Sequence, residues 1–195
     1  MNSFENFVPK KSINLLQGWF DDLDADFILS KPRTTKLGDF KVRGNRLIIS
    51  VNDNLNKYFF LMTITHELAH AFVYKKKLNI ESPHDKNWQL QFKSLMLNFL
   101  TPDFFPEDIL MVLSRHIINP KASTYSDIDL VRVLRKYDQN KSLTLSDLAL
   151  GDSFLISNGS IFIKGKRLNK RYKCVNKKTK RVYLFHPFAT VIKQL

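Results

Sequence analysis

Apolar positions along the chain change period twice, and those changes outline the predicted elements. Ile13, Leu16 and Phe20 stand at helical spacing within 12–20. Ala25–Ser30 (ADFILS) reads as a strand closed by Lys31-Pro32. Residues 37–42 and 46–51 are two more strand candidates around Gly44-Asn45, a dipeptide that favours a tight turn. A short sheet is therefore predicted ahead of a central helix running from about residue 56 to about residue 76. That helix is apolar nearly all round, which marks it as buried. The next helix is predicted to start with Ser82 as cap, Pro83 in the first helical position and Asp85 as a capping-box acid. Trp88, Phe92, Leu95, Met96 and Phe99 follow one of its faces. Two further helices are predicted over 107–118 and 126–137, separated by Asn119-Pro120. From Ser153 to the end the pattern becomes an alternation of period two, with turns at Asn158-Gly159 and 176–180. It predicts a small sheet or barrel of four or five strands. The predicted class is α+β: a first domain over 1–112, a helical connector over 113–152 and a small β module over 153–195.

Composition narrows the classes of function. Of 195 residues, 44% are hydrophobic and 25% charged, a mix that supports a packed core and excludes pervasive disorder. One cysteine, Cys174, has no disulfide partner in the chain and cannot build a four-cysteine zinc finger. The N-terminal residues lack a signal-peptide pattern, and the most apolar stretch, 58–74, is short for a membrane span and carries charged and titratable groups. The expectation is a cytoplasmic protein with no membrane partner.

Charge is unevenly distributed. The net charge is +13, yet residues 153–195 hold eleven Lys/Arg and no Asp or Glu, leaving only +2 on the rest. Such a density predicts a polyanion partner, most simply nucleic acid, through Lys164, Lys166, Arg167, Lys170, Arg171, Lys173, Lys177, Lys178, Lys180 and Arg181. Phe162, Tyr172, Tyr183, Phe185 and Phe188 lie among them. Strand alternation sends about half of such side chains inward, so charge is a better argument than base stacking.

The central helix carries the chemistry. His66-Glu67-Leu68-Ala69-His70 is an HExxH sequence. Positions i and i+4 share a helix face one turn apart, so both imidazoles reach one divalent ion, while Glu67 flanks it and can take a proton from the attacking water. A catalytic zinc needs a third protein ligand and one open position. Val73 and Lys76 stand where a metzincin continuation would place Gly and His. His84 is the best third ligand, because the chain has length enough to return from the end of the helix. Glu81 and Asp85 are rivals, Asp85 already having a capping role. His116 and His186 are expected to be structural, and Cys174 to be a small core residue.

Here the sequence resembles a family. THELAH, a basic loop and then SPHDKNWQLQF, with His84 four residues before Trp88, resemble the SprT-like zinc metallopeptidases, which include the Spartan proteases of DNA–protein crosslink repair. The resemblance is strongest over 56–96. It implies a zincin-like domain in which a short sheet lies beside the HExxH helix and the third histidine comes from the next helix. It also implies peptidase activity on proteins on or near DNA, with one zinc per chain on His66, His70 and His84 and with Glu67 as general base. Asp85 departs from the glycine that often follows the third histidine. Tyr172-Lys173-Cys174 resembles the opening of the family's zinc ribbon, but no partner cysteines follow. The tail thus reads as a metal-free basic β module. The alternative is a nucleic-acid-binding protein whose metal site is structural or vestigial.

Overall fold

The computed structural model describes residues 3–33, 35–78, 81–121, 123–139 and 142–193. The chain divides into two compact units, Met1–Gln139 and Asn140–Leu195. Together they make an α+β protein with two separate sheets. Among the described residues no helix is long and apolar enough to cross a membrane.

The first unit begins with α1 (Ile13–Leu23), which stops at Asp24 in the left-handed conformation and turns directly into β1 (Ala25–Ser30). Strands β2 (Gly38–Arg43) and β3 (Arg46–Asn52) form the expected hairpin, with Gly44 at φ 58° in its turn. The sheet order is β1-β3-β2, with β1 parallel and β2 antiparallel to β3, so β2 is an edge strand. Gly38 pairs with Val51 and Phe40 with Ile49, which puts these four residues on one face of the sheet. Val51 and Ile49 are fully buried there.

Helix α2 (Lys57–Lys75) packs on that face. Twelve of its nineteen residues are buried, so the apolar surround read from the sequence is real. Two buried threonines, Thr63 and Thr65, return their hydroxyls to the carbonyls of Phe59 and Leu61 at 2.8 Å, which satisfies them within the helix. Asn56 caps the helix: its Oδ1 accepts from the N–H groups of Tyr58 and Phe59, both at 3.1 Å. Its amide donates to the Leu134 carbonyl at 2.9 Å and to Asp138 at 2.6 Å, which ties the start of α2 to the far end of the unit.

Three more helices complete this unit: α3 (Lys86–Leu97), α4 (Glu107–Ile118) and α5 (Ile128–Leu134). The connector expected over 113–152 would hold the end of α4 and all of α5, but both helices lie in the first unit. Their buried faces, Ile109, Leu113, Ile117, Leu130, Val131 and Leu134, need a core to cover them. His116 is buried, and its Nδ1 lies 2.9 Å from Asp127, which also caps α5 through the Leu130 N–H at 3.3 Å. This is the structural role expected of that histidine. Burial, the largest single influence, works to raise the Asp127 carboxyl, but the hydrogen bonds from His116 and the Leu130 N–H, together with the charges of His116 and Lys121, outweigh it and hold the group below the ordinary carboxylate range.

The second unit is a five-stranded antiparallel sheet in the order β7-β6-β5-β4-β8, from β4 (Ser153–Leu155), β5 (Ile161–Leu168), β6 (Arg171–Asn176), β7 (Val182–Phe185) and β8 (Ile192–Lys193). The last two residues of the expected terminal strand, 194–195, lie outside the described residues. The unit starts earlier than the expected residue 153. Leu145 and Leu148 join Phe154, Phe162, Cys174 and Val191 in its core, and Leu145 and Ser146 donate to the carbonyls of Ala189 and Pro187 at 3.0 and 2.9 Å. A bulge interrupts the β5–β6 ladder between Lys164 and Arg167. Gly165 sits in it with Lys173 so close that an added Cβ would lie 2.4 Å from that residue's carbonyl oxygen.

Because Asn56 both caps α2 and anchors it, Asn56→Ala is expected to cost ~1–2 kcal/mol of stability, read as a lowered denaturant midpoint with an unchanged slope. An unchanged midpoint would show that α2 is held by packing alone.

Candidate metal centre

Helical spacing brings His66 and His70 onto one face of α2, with ring centroids 5.0 Å apart. His84 approaches them from the chain segment before α3. The three Nε2 atoms form a nearly equilateral triangle: 3.1 Å from His66 to His84, 3.2 Å from His70 to His84 and 3.3 Å from His70 to His66. A tetrahedral ion with arms of ~2.0–2.1 Å has edges of ~3.3–3.4 Å, so the triangle fits one face of such a site and leaves the fourth corner open. Burial lowers the proton affinity of all three rings. It takes His66 well below its ordinary value, His70 to about 4 and His84 downward, with repulsion among the rings adding to the effect on the first two. Neutral imidazole is the form that binds a metal.

Trp88 on α3 holds the rings in place. Its indole lies 4.6 Å from the rings of His66 and His84 and 5.4 Å from that of His70, and it stacks on Phe92 at 5.1 Å. Its Nε1–H donates to the His66 carbonyl at 3.4 Å. Among the described residues, these three histidines are the one group of side chains close enough to hold a metal ion.

The start of α3 differs from its expectation. Asp85, not Ser82, is the cap: one carboxylate oxygen accepts from the Trp88 N–H at 3.1 Å and the other from the Glu81 N–H at 3.1 Å. Asp85 is short enough to accept from the residue three further on, whereas 82–85 close a turn through the Asp85 N–H to the Ser82 carbonyl at 3.2 Å. The Trp88 N–H bond, first among its causes, holds the Asp85 carboxyl below its ordinary value. His84 therefore stands just ahead of the helix, not in its first turn. Asp85 stays a cap, and Glu81 is exposed and outside the cluster.

Glu67 lies roughly 60° around α2 from His70 and reaches towards β2 of the sheet. It is buried, 7% exposed, and accepts a hydrogen bond from the Phe40 backbone on β2. Burial, reinforced by the charge of Asp39 and opposed by Arg33 and Lys36, pushes its carboxyl up to about 8. Directly opposite is Gly38, where a Cβ would lie 2.5 Å from Glu67 Oε1 and 2.7 Å from its Cγ. Motif reading does not find Gly38; the available signal is a glycine inside a strand, which marks a close approach of something else.

In the second unit nine of the ten expected nucleic-acid contacts, Lys166, Arg167, Lys170, Arg171, Lys173, Lys177, Lys178, Lys180 and Arg181, are exposed. Lys164 is not among them. It is buried, its ammonium donating to the Leu148 carbonyl at 2.6 Å and lying 4.1 Å above the Tyr172 ring. Strand alternation puts it on the same side as Phe162, so it is a structural lysine. Phe162 packs against Phe154, Tyr183 and Phe185 in this sheet's own core. Cys174 is buried there, and burial raises its thiol.

An HExxH helix packed between a short sheet and a second helix, with three neutral histidines converging, defines a metal-site α+β domain. The family comparison agrees with the resemblance: residues 13–104 match the model of the SprT-like family. No curated protein and no solved structure matches the chain.

Purified protein is expected to bind one divalent ion per chain. His84→Ala should weaken binding by more than ~100-fold, beyond what loss of an outer hydrogen-bond partner does. Cys174→Ser should leave the stoichiometry unchanged. Metal analysis after dialysis against a weak chelator reads both; full occupancy in His84→Ala would remove that residue from the ligand set.

Proposed function

We propose that the first unit is a zincin-like zinc metallopeptidase that cleaves protein on or near DNA. The observation that carries this reading is the open triangle of three histidine nitrogens with a buried glutamate on the same helix. His66, His70 and His84 are the residues that would hold zinc, and zinc when bound supplies Lewis acidity, polarising a carbonyl and making water a better nucleophile at neutral pH. The charge of a bound divalent ion would also favour the ionised form of the Glu67 carboxyl, in which it acts as general base: it takes a proton from the attacking water and hands it to the departing amine. The Phe40 N–H holds one end of its carboxylate during that exchange. Substrate enters as an extended segment along β2, which pairs with no strand on its outer side among the described residues, a strand-addition mode that suits peptide bonds of varied sequence.

The DNA half of the proposal rests on charge. Residues 140–195 carry twelve Lys/Arg against two Asp, and eight of the nine exposed cations named above gather at the two hairpin ends flanking β6, with Lys173 on β6 between them. A surface of that kind holds phosphate backbone without reading sequence. It would place the peptidase unit next to DNA-bound protein.

Glu67→Gln is expected to keep its metal and to lose ~10²–10⁴-fold in kcat/KM on a protein substrate, because glutamine keeps the shape but not the proton acceptor. Hydrolysis at the wild-type rate would refute the general-base role. Chelation should abolish turnover in the wild type and zinc should restore it. If four to six of the cations meet phosphates, the affinity for duplex DNA should fall with salt at a log–log slope of about −3 to −5. Replacing Lys177, Lys178, Lys180 and Arg181 by alanine should flatten that slope by about 2–4 and leave metal content unchanged. A salt-independent affinity would mark the second unit as a protein-binding module instead.

A further inference from the structure

We infer that Gly38 is a positioning residue for Glu67: the missing side chain opens a slot on β2 into which the carboxylate fits. This rests on the reading of Glu67 as general base. Gly38 and Phe40 are two residues apart on β2 and so face the same way, towards α2. Phe40 offers its backbone N–H to the carboxylate, and Gly38 offers empty space. The fit is closer than any side chain allows. A Cβ at position 38 would lie 2.5 Å from Glu67 Oε1, 2.7 Å from Cγ and 2.9 Å from Cδ, all inside van der Waals contact.

Conformational freedom does not explain this glycine. The residues of this chain with positive φ are elsewhere, and Gly38 is extended within a regular antiparallel ladder, paired with Val51. A glycine there weakens the strand, which makes the space it leaves the reason for it. The backbone of Val51 and the packed face of α2 prevent the sheet from moving away, because Val51 and the α2 residues on either side of Glu67 in the core, Ile64 and Leu68, are fully buried. An added methyl group therefore moves the carboxylate, not the strand. Glu67 would swing off the Phe40 N–H, while the three histidines, packed against Trp88, would stay where they are.

Four proteins test this: wild type, Gly38→Ala, Glu67→Ala and the double variant. Gly38→Ala should retain one metal per chain, with kcat lowered ~10²-fold, the effect of moving a reacting group by about an ångström. KM should change by less than ~3-fold, since substrate contacts are untouched. Its Tm should drop by roughly 2–8 °C in the Glu67 protein, the usual range for overpacking, and by less than ~1 °C in the Glu67→Ala protein, where all three clashing atoms are gone. Gly18→Ala, on an exposed face of α1 where a Cβ meets nothing within 4 Å, is the control and should leave kcat unchanged. If Gly38→Ala fails to fold, the double variant should fold; failure of both overturns the inference. With Glu67→Gln inactive, an undiminished kcat in Gly38→Ala overturns it too, as does an equal loss of Tm in both backgrounds. Activity retained in Glu67→Gln overturns the general-base reading itself, and the Tm comparison still reports on the Gly38–Glu67 contact.

Discussion

The burial of α2 on nearly all sides is the constraint from which the rest of the first unit follows. A helix with twelve buried residues out of nineteen leaves only a narrow, partly exposed face, where His66 and His70 lie, and none for the glutamate. Its polar groups must each find a partner or a ligand. The two threonines close on their own backbone, and Asn56 ties the helix to 134 and 138. The remaining polar side chains meet two neighbouring elements. Towards α3, His66 and His70 meet His84 under the Trp88 indole. Towards the sheet, Glu67 enters the slot between Gly38 and the Phe40 N–H. The same low-dielectric surroundings that keep the three rings neutral also hold the glutamate where water is scarce. Fold and chemistry are two consequences of one packing arrangement.

Local signals made much of this legible. HExxH spacing places two rings on one face regardless of tertiary structure, and Trp88 one turn beyond His84 points to a helix that packs on them. The β2–β3 hairpin was readable because Gly44-Asn45 leaves few alternatives to a tight turn. The helix start after the loop was not read correctly. Ser82, Pro83 and Asp85 each satisfy a capping rule, and only the hydrogen bonds decide that Asp85 does the work. Gly38 was invisible for a different reason: its neighbour is twenty-nine positions away in the chain, and no local rule encodes a contact across a sheet–helix interface.

The second unit shows the limit of counting charges. Ile161-Phe162-Ile163-Lys164 is apolar on both parities, so the alternation alone does not say which side is inward. The structure turns Phe162 and Lys164 in, and a lysine counted as a phosphate contact becomes a buried bond to Leu148. The start of this unit is hard to read for a similar reason. Residues 143–152 lack strand alternation, yet they supply Leu145 and Leu148 to this core. The helices after residue 112 look like a linker only until their buried faces are counted.

The central claim is an open three-histidine metal centre. X-ray absorption at the zinc edge, on protein loaded with one equivalent of zinc, tests it most directly. The account predicts a first shell of three imidazole nitrogens and one exchangeable oxygen at ~2.0–2.1 Å, with no sulfur. A sulfur shell at ~2.3 Å, or four protein ligands with no exchangeable position, would contradict it.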